Sequence, residues 1–378
     1  MQNRRDWIKS SLALGGVLVS PSNFLTSKEK ELFRPRDIEK VVKLSSNENP
    51  YGPSKKVRDA INKSFNYACR YPYSYSDDLE AMLAKKHGVS NESIIVTGGS
   101  TEGLKITGLT FTSNGGEIIS AKPTFLAMMD FAKLWGASIN WVPVNSDKGY
   151  DLSEIENRIS KNTKLIFLCN PNNPTGTLIP SKELYDFCET AANKTIVFSD
   201  EAYYDYIEDS NYPSMIDLIK KDKNVIVSKT FSKVYGMAGL WVGYLIAKPE
   251  LAKKIRENIV ARSNVLGIEA AKQALNDKEF YAFSLKKNKE SKQRIYSLLD
   301  ELNLNYVKSH TNFIFFHSKR NIEKLGPQMI KKGVRIGRPF PPFYDWCRIS
   351  TGTLTEVDRF IKGMKELYSW FYFSLTIM

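Results

Sequence analysis

Seven short apolar runs punctuate the chain between residues 93 and 247: SIIVT, GEIIS, SINWVPV, KLIFLC, TIVFS, NVIVS and GYLIA. Each is rich in Ile and Val, and most are separated by longer stretches with helical spacing. Runs that are apolar throughout, rather than alternating, suit strands covered on both faces, and intervening helices supply the crossovers that parallel strands need. The pattern therefore predicts an α/β fold with a mostly parallel seven-stranded sheet between layers of helices. Near Ala261 the character changes to long charged helical patterns, then a short strand, TNFIFF, and a closing helix, TEVDRFIKGMKELYSW. These predict a second, smaller α/β domain. The expected division is a large domain over 67–262, with 31–66 and 263–378 forming the smaller one. No internal repeat or low-complexity stretch interrupts this plan.

Composition narrows the function. At 378 residues the chain can bury a large core, and its net charge of +13 comes from lysines interleaved with acids in helical segments such as LKKNKESKQR. With no aromatic-basic stripe, the charge reads as a solvated face and nucleic acid is not an expected partner. Cys69, Cys169, Cys188 and Cys347 are far apart and His87, His310 and His317 do not cluster with them, so neither a metal site nor a disulfide framework is expected.

The first 30 residues read differently. NRRDWIKSSLALGGVLVS resembles a twin-arginine export signal, with Trp7 and Ile8 at its aromatic and aliphatic positions. Its apolar run is too short to span a bilayer, as is the apolar end SWFYFSLTIM, so no stable membrane insertion is expected. The expected location is periplasmic or otherwise exported, or cytoplasmic if the signal does not function.

In parallel α/β sheets, ligands gather at the C-terminal ends of the strands, and the residues just after the predicted strands carry the candidate chemistry. After SIIVT, GGSTEGL offers small residues and the start of a helix, which suits an anion; a plain helix cap by Ser100 or Thr101 is the competing reading. The stretch is no P-loop, because Leu104 stands where the lysine belongs. After KLIFLC, the turn NPNNPTG can aim Asn173 into the crevice, or serve as a turn alone. After TIVFS, Asp200 of DEAYYDY sits where a carboxylate needs a cation or donor, unless it caps a helix, and Tyr203 follows on the same side. After NVIVS, KTFSK places Thr230, Ser232 and Lys233 together; a partly buried lysine there would have a lowered pKa and a nucleophilic neutral amine. In the smaller domain, Arg348 of DWCRISTG lies amid apolar neighbours, where a guanidinium binds a carboxylate, internal or external. An anion cradle, a buried acid, a neutral lysine and an arginine clamp, in this order, match the needs of pyridoxal phosphate: its phosphate, ring nitrogen, aldehyde and a substrate carboxylate.

At these motifs, NENPYGPS, RYP, NPNNPTG, DEAY, TFSK followed by GMAGL, and RISTGT, the chain resembles fold type I pyridoxal phosphate-dependent aminotransferases of class I/II, the histidinol-phosphate aminotransferase-like proteins in particular. The resemblance spans about residues 40 to 365. It implies that Lys233 is the Schiff-base lysine and then the proton shuttle, that Asp200 keeps the pyridine nitrogen protonated, and that Asn173 and Tyr203 bond the ring oxygen. It implies that Phe125 stacks on the ring, that Ser100, Thr101, Thr230 and Ser232 hold the phosphate, and that Tyr71 reaches it from the other subunit of a homodimer. Arg348 would bind the substrate carboxylate, Arg338 is a candidate for an anionic substrate group, and Tyr51 could help close the site.

One position departs from the family. The pattern G-L-R-x-G places an arginine eight residues after the lysine, on the cofactor phosphate; this chain reads GLWVGY, with Trp241 there. Loss of such a contact removes on the order of 1.5–3 kcal/mol of binding. The function expected is amino transfer between an L-amino acid, or a histidinol phosphate-like amine, and a 2-oxo acid. A decarboxylase or lyase using the same cofactor, and a non-enzymatic exported binding protein, are the alternatives.

Overall fold

The computed structural model describes residues 40–375. The export-like segment lies outside the described residues. Eleven strands are formed among those described: β1 (Val42–Lys43), β2 (Ile94–Thr97), β3 (Glu117–Lys122), β4 (Ser138–Pro143), β5 (Thr163–Cys169), β6 (Ile196–Asp200), β7 (Val225–Thr230), β8 (Gly243–Ala247), β9 (Phe313–His317), β10 (Val334–Arg335) and β11 (Trp346–Ser350). The seven apolar runs read from the sequence are β2 to β8. They form one sheet in the order β2-β8-β7-β6-β5-β3-β4.

Within this sheet β8 runs antiparallel to both neighbours, β2 and β7, and every other pairing is parallel. The connection explains the exception: residues 231–242 hold only a short 3-10 turn at Ala238–Leu240, with no crossover helix to return the chain in the parallel sense. Strand β5 shows why the runs are apolar throughout. Its Ile166 and Leu168 enter one core and its Leu165 and Phe167 another, on opposite faces of the sheet.

A smaller unit carries the parallel pair β1–β10 and the antiparallel pair β9–β11. Its own core draws on Val42, Leu44, Leu298, Phe316, Met329 and Phe360. The helices Lys55–Ser64 and Val265–Asn276 differ from the sequence-based division, since Val57, Ile268, Ala270 and Ala274 belong to the core of the large unit. The charged stretch beyond Ala261 breaks at Asp277, whose side chain accepts from Phe280 N and caps a new helix, Lys278–Glu301. The small-residue half before the break packs on the sheet domain; the half after it leads into the smaller one. Among the described residues no helix is long and apolar enough to cross a membrane.

Candidate active site

Both units line a cavity of about 280 Å³ over the C-terminal edge of the sheet. The ends of four parallel strands and the start of one helix deliver its walls. Ser100 and Thr101 follow β2, Phe125 follows β3, Asn173 follows β5, Asp200 ends β6 with Tyr203 beyond it, and Ser232 and Lys233 follow β7. Arg348 comes from β11, and Ser46, Asn47 and Glu48 come from the segment after β1.

Lys233 is part-buried in this cavity, and desolvation, followed by the Arg348 charge, lowers its pKa to about 8. A neutral amine is thus accessible near neutral pH. Its Nζ donates to the Asn47 carbonyl at 3.2 Å and lies 5.5 Å from the centre of the Tyr203 ring. The loop bearing it is clamped by the N-terminal segment: a Cβ on Gly52 would stand 2.4 Å from Gly236 Cα, so the two backbones touch as only glycines allow. Asn49 Nδ2 adds a bond to Val234 O at 2.8 Å. The neighbouring lysine on β7 is committed elsewhere, since Lys229 pairs with buried Glu201 at 2.7 Å.

Asp200 is fully enclosed, and burial pushes its carboxyl up to about 7. Its Oδ1 accepts from Ala202 N at 3.3 Å in the turn, with no helix to cap at that point. A cationic ring nitrogen next to it would restore the ionised form, which is how a buried carboxylate becomes stable. Tyr203 accepts from Asn47 Nδ2 at 2.9 Å and from Asn173 Nδ2 at 3.4 Å. Burial raises its pKa, so the phenol keeps its proton, and that proton is left to donate into the cavity.

Arg348 donates from Nη1 to Asn173 Oδ1 and from Nη2 to Ser45 O, each at 2.6 Å. Among the described residues no carboxylate pairs with it, and its buried Nε has no hydrogen-bond partner. The internal ion pair that the sequence left open is therefore not formed. A guanidinium held by neutral carbonyl oxygens, with Phe313 and Phe340 rings 5.5 and 4.9 Å away, retains its full charge for an incoming carboxylate.

The opposite corner is the start of the helix Gly99–Thr112. Neither Ser100 nor Thr101 caps this helix: its N-cap is Gly98, without a side-chain bond, and both hydroxyl residues line the cavity. Gly99 takes φ +76, and a Cβ on Gly243 would meet Ser100 N at 2.6 Å, so β8 approaches the helix start closely. Trp241 lines the same corner in a left-handed conformation, φ 52 and ψ 57, with its side chain 62% exposed.

Three residues expected at the site stand elsewhere, and a fourth, Tyr71, was expected from a second subunit. Thr230 is one step back, its hydroxyl donating to Ser232 Oγ at 3.0 Å, and it orients that serine instead of lining the cavity. Tyr51 packs edge-to-face on Phe283, with ring centroids 5.2 Å apart, in a small apolar cluster outside the cavity. Arg338 bonds the Pro339 carbonyl and stacks on Phe340 at 4.4 Å, exposed and not lining the cavity. Tyr71 is 82% exposed and does not line the cavity of this chain. Asn47 and Glu48 were not singled out from the sequence. The readable signal was an Asn in NENPYGPS, since Asn tolerates the left-handed backbone that Asn47 adopts at φ 54.

Residues 39–364 match the family described as aminotransferase class I and II. A histidinol-phosphate aminotransferase of Caldicellulosiruptor saccharolyticus is 36% identical over 340 residues, 89% of this chain and 94% of that one. The crystal structure of histidinol-phosphate aminotransferase from Sinorhizobium meliloti, in complex with pyridoxal-5'-phosphate, superposes with a TM-score of 0.79 at 23% identity, covering 94% of this chain and all 100% of the other. L-threonine-O-3-phosphate decarboxylase from Porphyromonas gingivalis shares the fold with a TM-score of 0.76 at 24% identity, over 86% of this chain and 99% of that one.

Proposed function

The chain belongs to the class I and II aminotransferases, and from that premise we propose residue roles and an amino donor for this pyridoxal 5'-phosphate-dependent enzyme. When bound, the cofactor supplies an aldehyde that takes up the amino group and a ring that withdraws electrons from the carbon being deprotonated. The chain's residues fit that group: a part-buried lysine, a buried carboxyl and an arginine without an acid partner among the described residues face one cavity.

Lys233 bonds the aldehyde through its neutral amine and, once released, carries the proton at the donor carbon. Asp200 holds the proton on the ring nitrogen, and Tyr203 donates to the ring oxygen while Asn47 and Asn173 fix its orientation. Phe125 packs on the ring, and Ser100, Thr101 and Ser232 bond the phosphate at the helix start. Arg348 takes the carboxylate of the 2-oxo acid or amino acid, positioned by Asn173 and Ser45. The observation that carries this reading is the convergence of Lys233, Asp200 and Arg348 on the same cavity.

Histidinol phosphate is the proposed amino donor, on the description of the 36% identical relative. A homodimer is proposed on the exposed aromatics Phe65, Tyr67, Tyr71 and Tyr73, a row of rings suited to burial against a second copy. Export by the twin-arginine route is proposed on the Arg4–Arg5 motif, and fractionation of cells carrying the Arg4→Lys, Arg5→Lys variant tests it.

The function is tested by a half-reaction with the aldehyde-loaded enzyme. Histidinol phosphate and a panel of L-amino acids are added separately, and conversion to pyridoxamine phosphate is followed by absorbance and mass. Stoichiometric conversion without release of carbon dioxide supports amino transfer; carbon dioxide with retention of the aldehyde would establish decarboxylation. Borohydride reduction followed by peptide mapping should place the pyridoxyl group on Lys233, and an adduct on Lys229 would overturn the assignment.

A further inference from the structure

Among the described residues, the corner proposed for the cofactor phosphate contains no cation. Its lining is Gly99, Ser100, Thr101, Ser232 and Trp241, and among the described residues around the whole cavity the cations are Lys233 and Arg348. Arg348 is held by Asn173 and Ser45, and Lys233 is the residue that bonds the aldehyde. The helix start supplies neutral N–H donors and no cation, and the Glu102 carboxylate, which accepts the Gly98 N–H, already meets part of its positive field. That carboxylate places a negative charge at the helix end whose field would favour an anion. Trp241 offers at most one neutral indole N–H, and its side chain stands mostly in solvent.

Retention of the cofactor must then differ between its two forms. The aldehyde form is tethered by its bond to Lys233. The amine form carries the donor's nitrogen in place of that bond, and Lys233 recovers its own amine, so the amine form is held by non-covalent contacts alone. Its phosphate carries a charge of about −1.5 to −2 at neutral pH, and withdrawing that charge from water without a paired cation is costly.

We propose that this enzyme holds the two forms unequally: it retains the aldehyde through Lys233 and releases the amine form after the first half-reaction, because Trp241 stands where a phosphate-paired cation would be. This rests on the assignment of Lys233 to the aldehyde and of the helix start to the phosphate. Free pyridoxal phosphate would then have to reload the site, or the 2-oxo acid would have to arrive before the amine form departs.

The experiment is equilibrium dialysis of pyridoxal phosphate and pyridoxamine phosphate, separately, against the full chain, Trp241→Arg and Lys233→Ala. The native protein should retain the aldehyde and bind the amine form at least tenfold more weakly. Trp241→Arg should bind the amine form roughly ten- to a hundredfold more tightly than the native protein, the gain of a charge-assisted phosphate contact. Lys233→Ala should bind both forms with similar, weak affinity. Equal retention of both forms by the native protein, or amine-form binding by Trp241→Arg that is unchanged or weaker, overturns the proposal. Borohydride reduction of the loaded native protein separates the two failures: an adduct on Lys233 with equal affinities refutes the unequal retention alone, whereas no adduct there refutes the underlying assignment.

Discussion

Lys233 Nζ donates to the main-chain carbonyl of Asn47 at 3.2 Å, although 186 positions separate the two residues in the chain. The same Asn47 donates from its side chain to the Tyr203 hydroxyl and accepts from Ser350 Oγ at 2.8 Å. One asparagine in a left-handed conformation thereby joins the lysine, the phenol and the smaller unit that carries Arg348. The N-terminal segment is a wall of the site as well as a link to the second domain.

Replacing Asn47 should therefore damage stability and chemistry together, and two variants separate the causes. Asn47→Ala loses the bonds to Tyr203 and Ser350 and strains the backbone, costing about 2–4 kcal/mol. Asn47→Gly relieves the strain and loses only the side-chain bonds, so thermal denaturation should place it between the native protein and Asn47→Ala. If Asn47→Gly matched the native protein in both melting temperature and half-reaction rate, the side chain would have no role at Tyr203.

Asp200→Asn should fold and bind cofactor while losing several orders of magnitude in the half-reaction rate. A neutral amide does not hold the ring nitrogen protonated, and the loss falls on the developing negative charge more than on the ground state. Stopped-flow absorbance with a saturating donor measures it. A rate within tenfold of the native one would remove Asp200 from its role.

Arg348→Lys keeps the charge but not the fork. The guanidinium is oriented by Asn173 Oδ1 and Ser45 O, and an ammonium has no second arm to present to a carboxylate once those bonds form. The expected result is a KM for the 2-oxo acid raised about ten- to a hundredfold, with a smaller change in kcat. An unchanged KM would mean that the substrate carboxylate lies elsewhere.

The cofactor-free protein should show two pH limbs in thermal denaturation. Asp200 has its pKa raised from 3.8 to about 7 on folding, so the folded state holds the proton longer and stability falls as pH rises through that window. Lys233 has its pKa lowered from 10.5 to about 8, so the unfolded state binds the proton more strongly and stability rises from about pH 8 towards 10.5. Asp200→Asn should flatten the first limb and Lys233→Ala the second. If both limbs persisted in the double variant, other groups would be responsible.

The sequence by itself determined the sheet and the strand ends. Runs such as KLIFLC and TIVFS are apolar on both faces because both faces are covered, and that local pattern needs no tertiary information to be read. The chemistry just beyond them, Asn173, Asp200 and Lys233, was legible for the same reason, since parallel strands deliver their following residues to one edge. What the tertiary structure decided is everything that depends on the approach of distant segments. Asn47 enters the site because the segment after β1 lies across the lysine loop, backbone against backbone at Gly52 and Gly236, and no local period encodes that meeting. Tyr51, four residues further on, is instead drawn into contact with Phe283 by the burial of apolar surface. Arg338 and Arg348, close in sequence and alike in charge, divide because β11 turns Arg348 into the cavity whereas Arg338, in the loop after β10, bonds the next carbonyl and stands in solvent. Trp241 could be named from the sequence as a departure; that it borders a corner where no cation stands among the described residues is a fact of the assembled cavity.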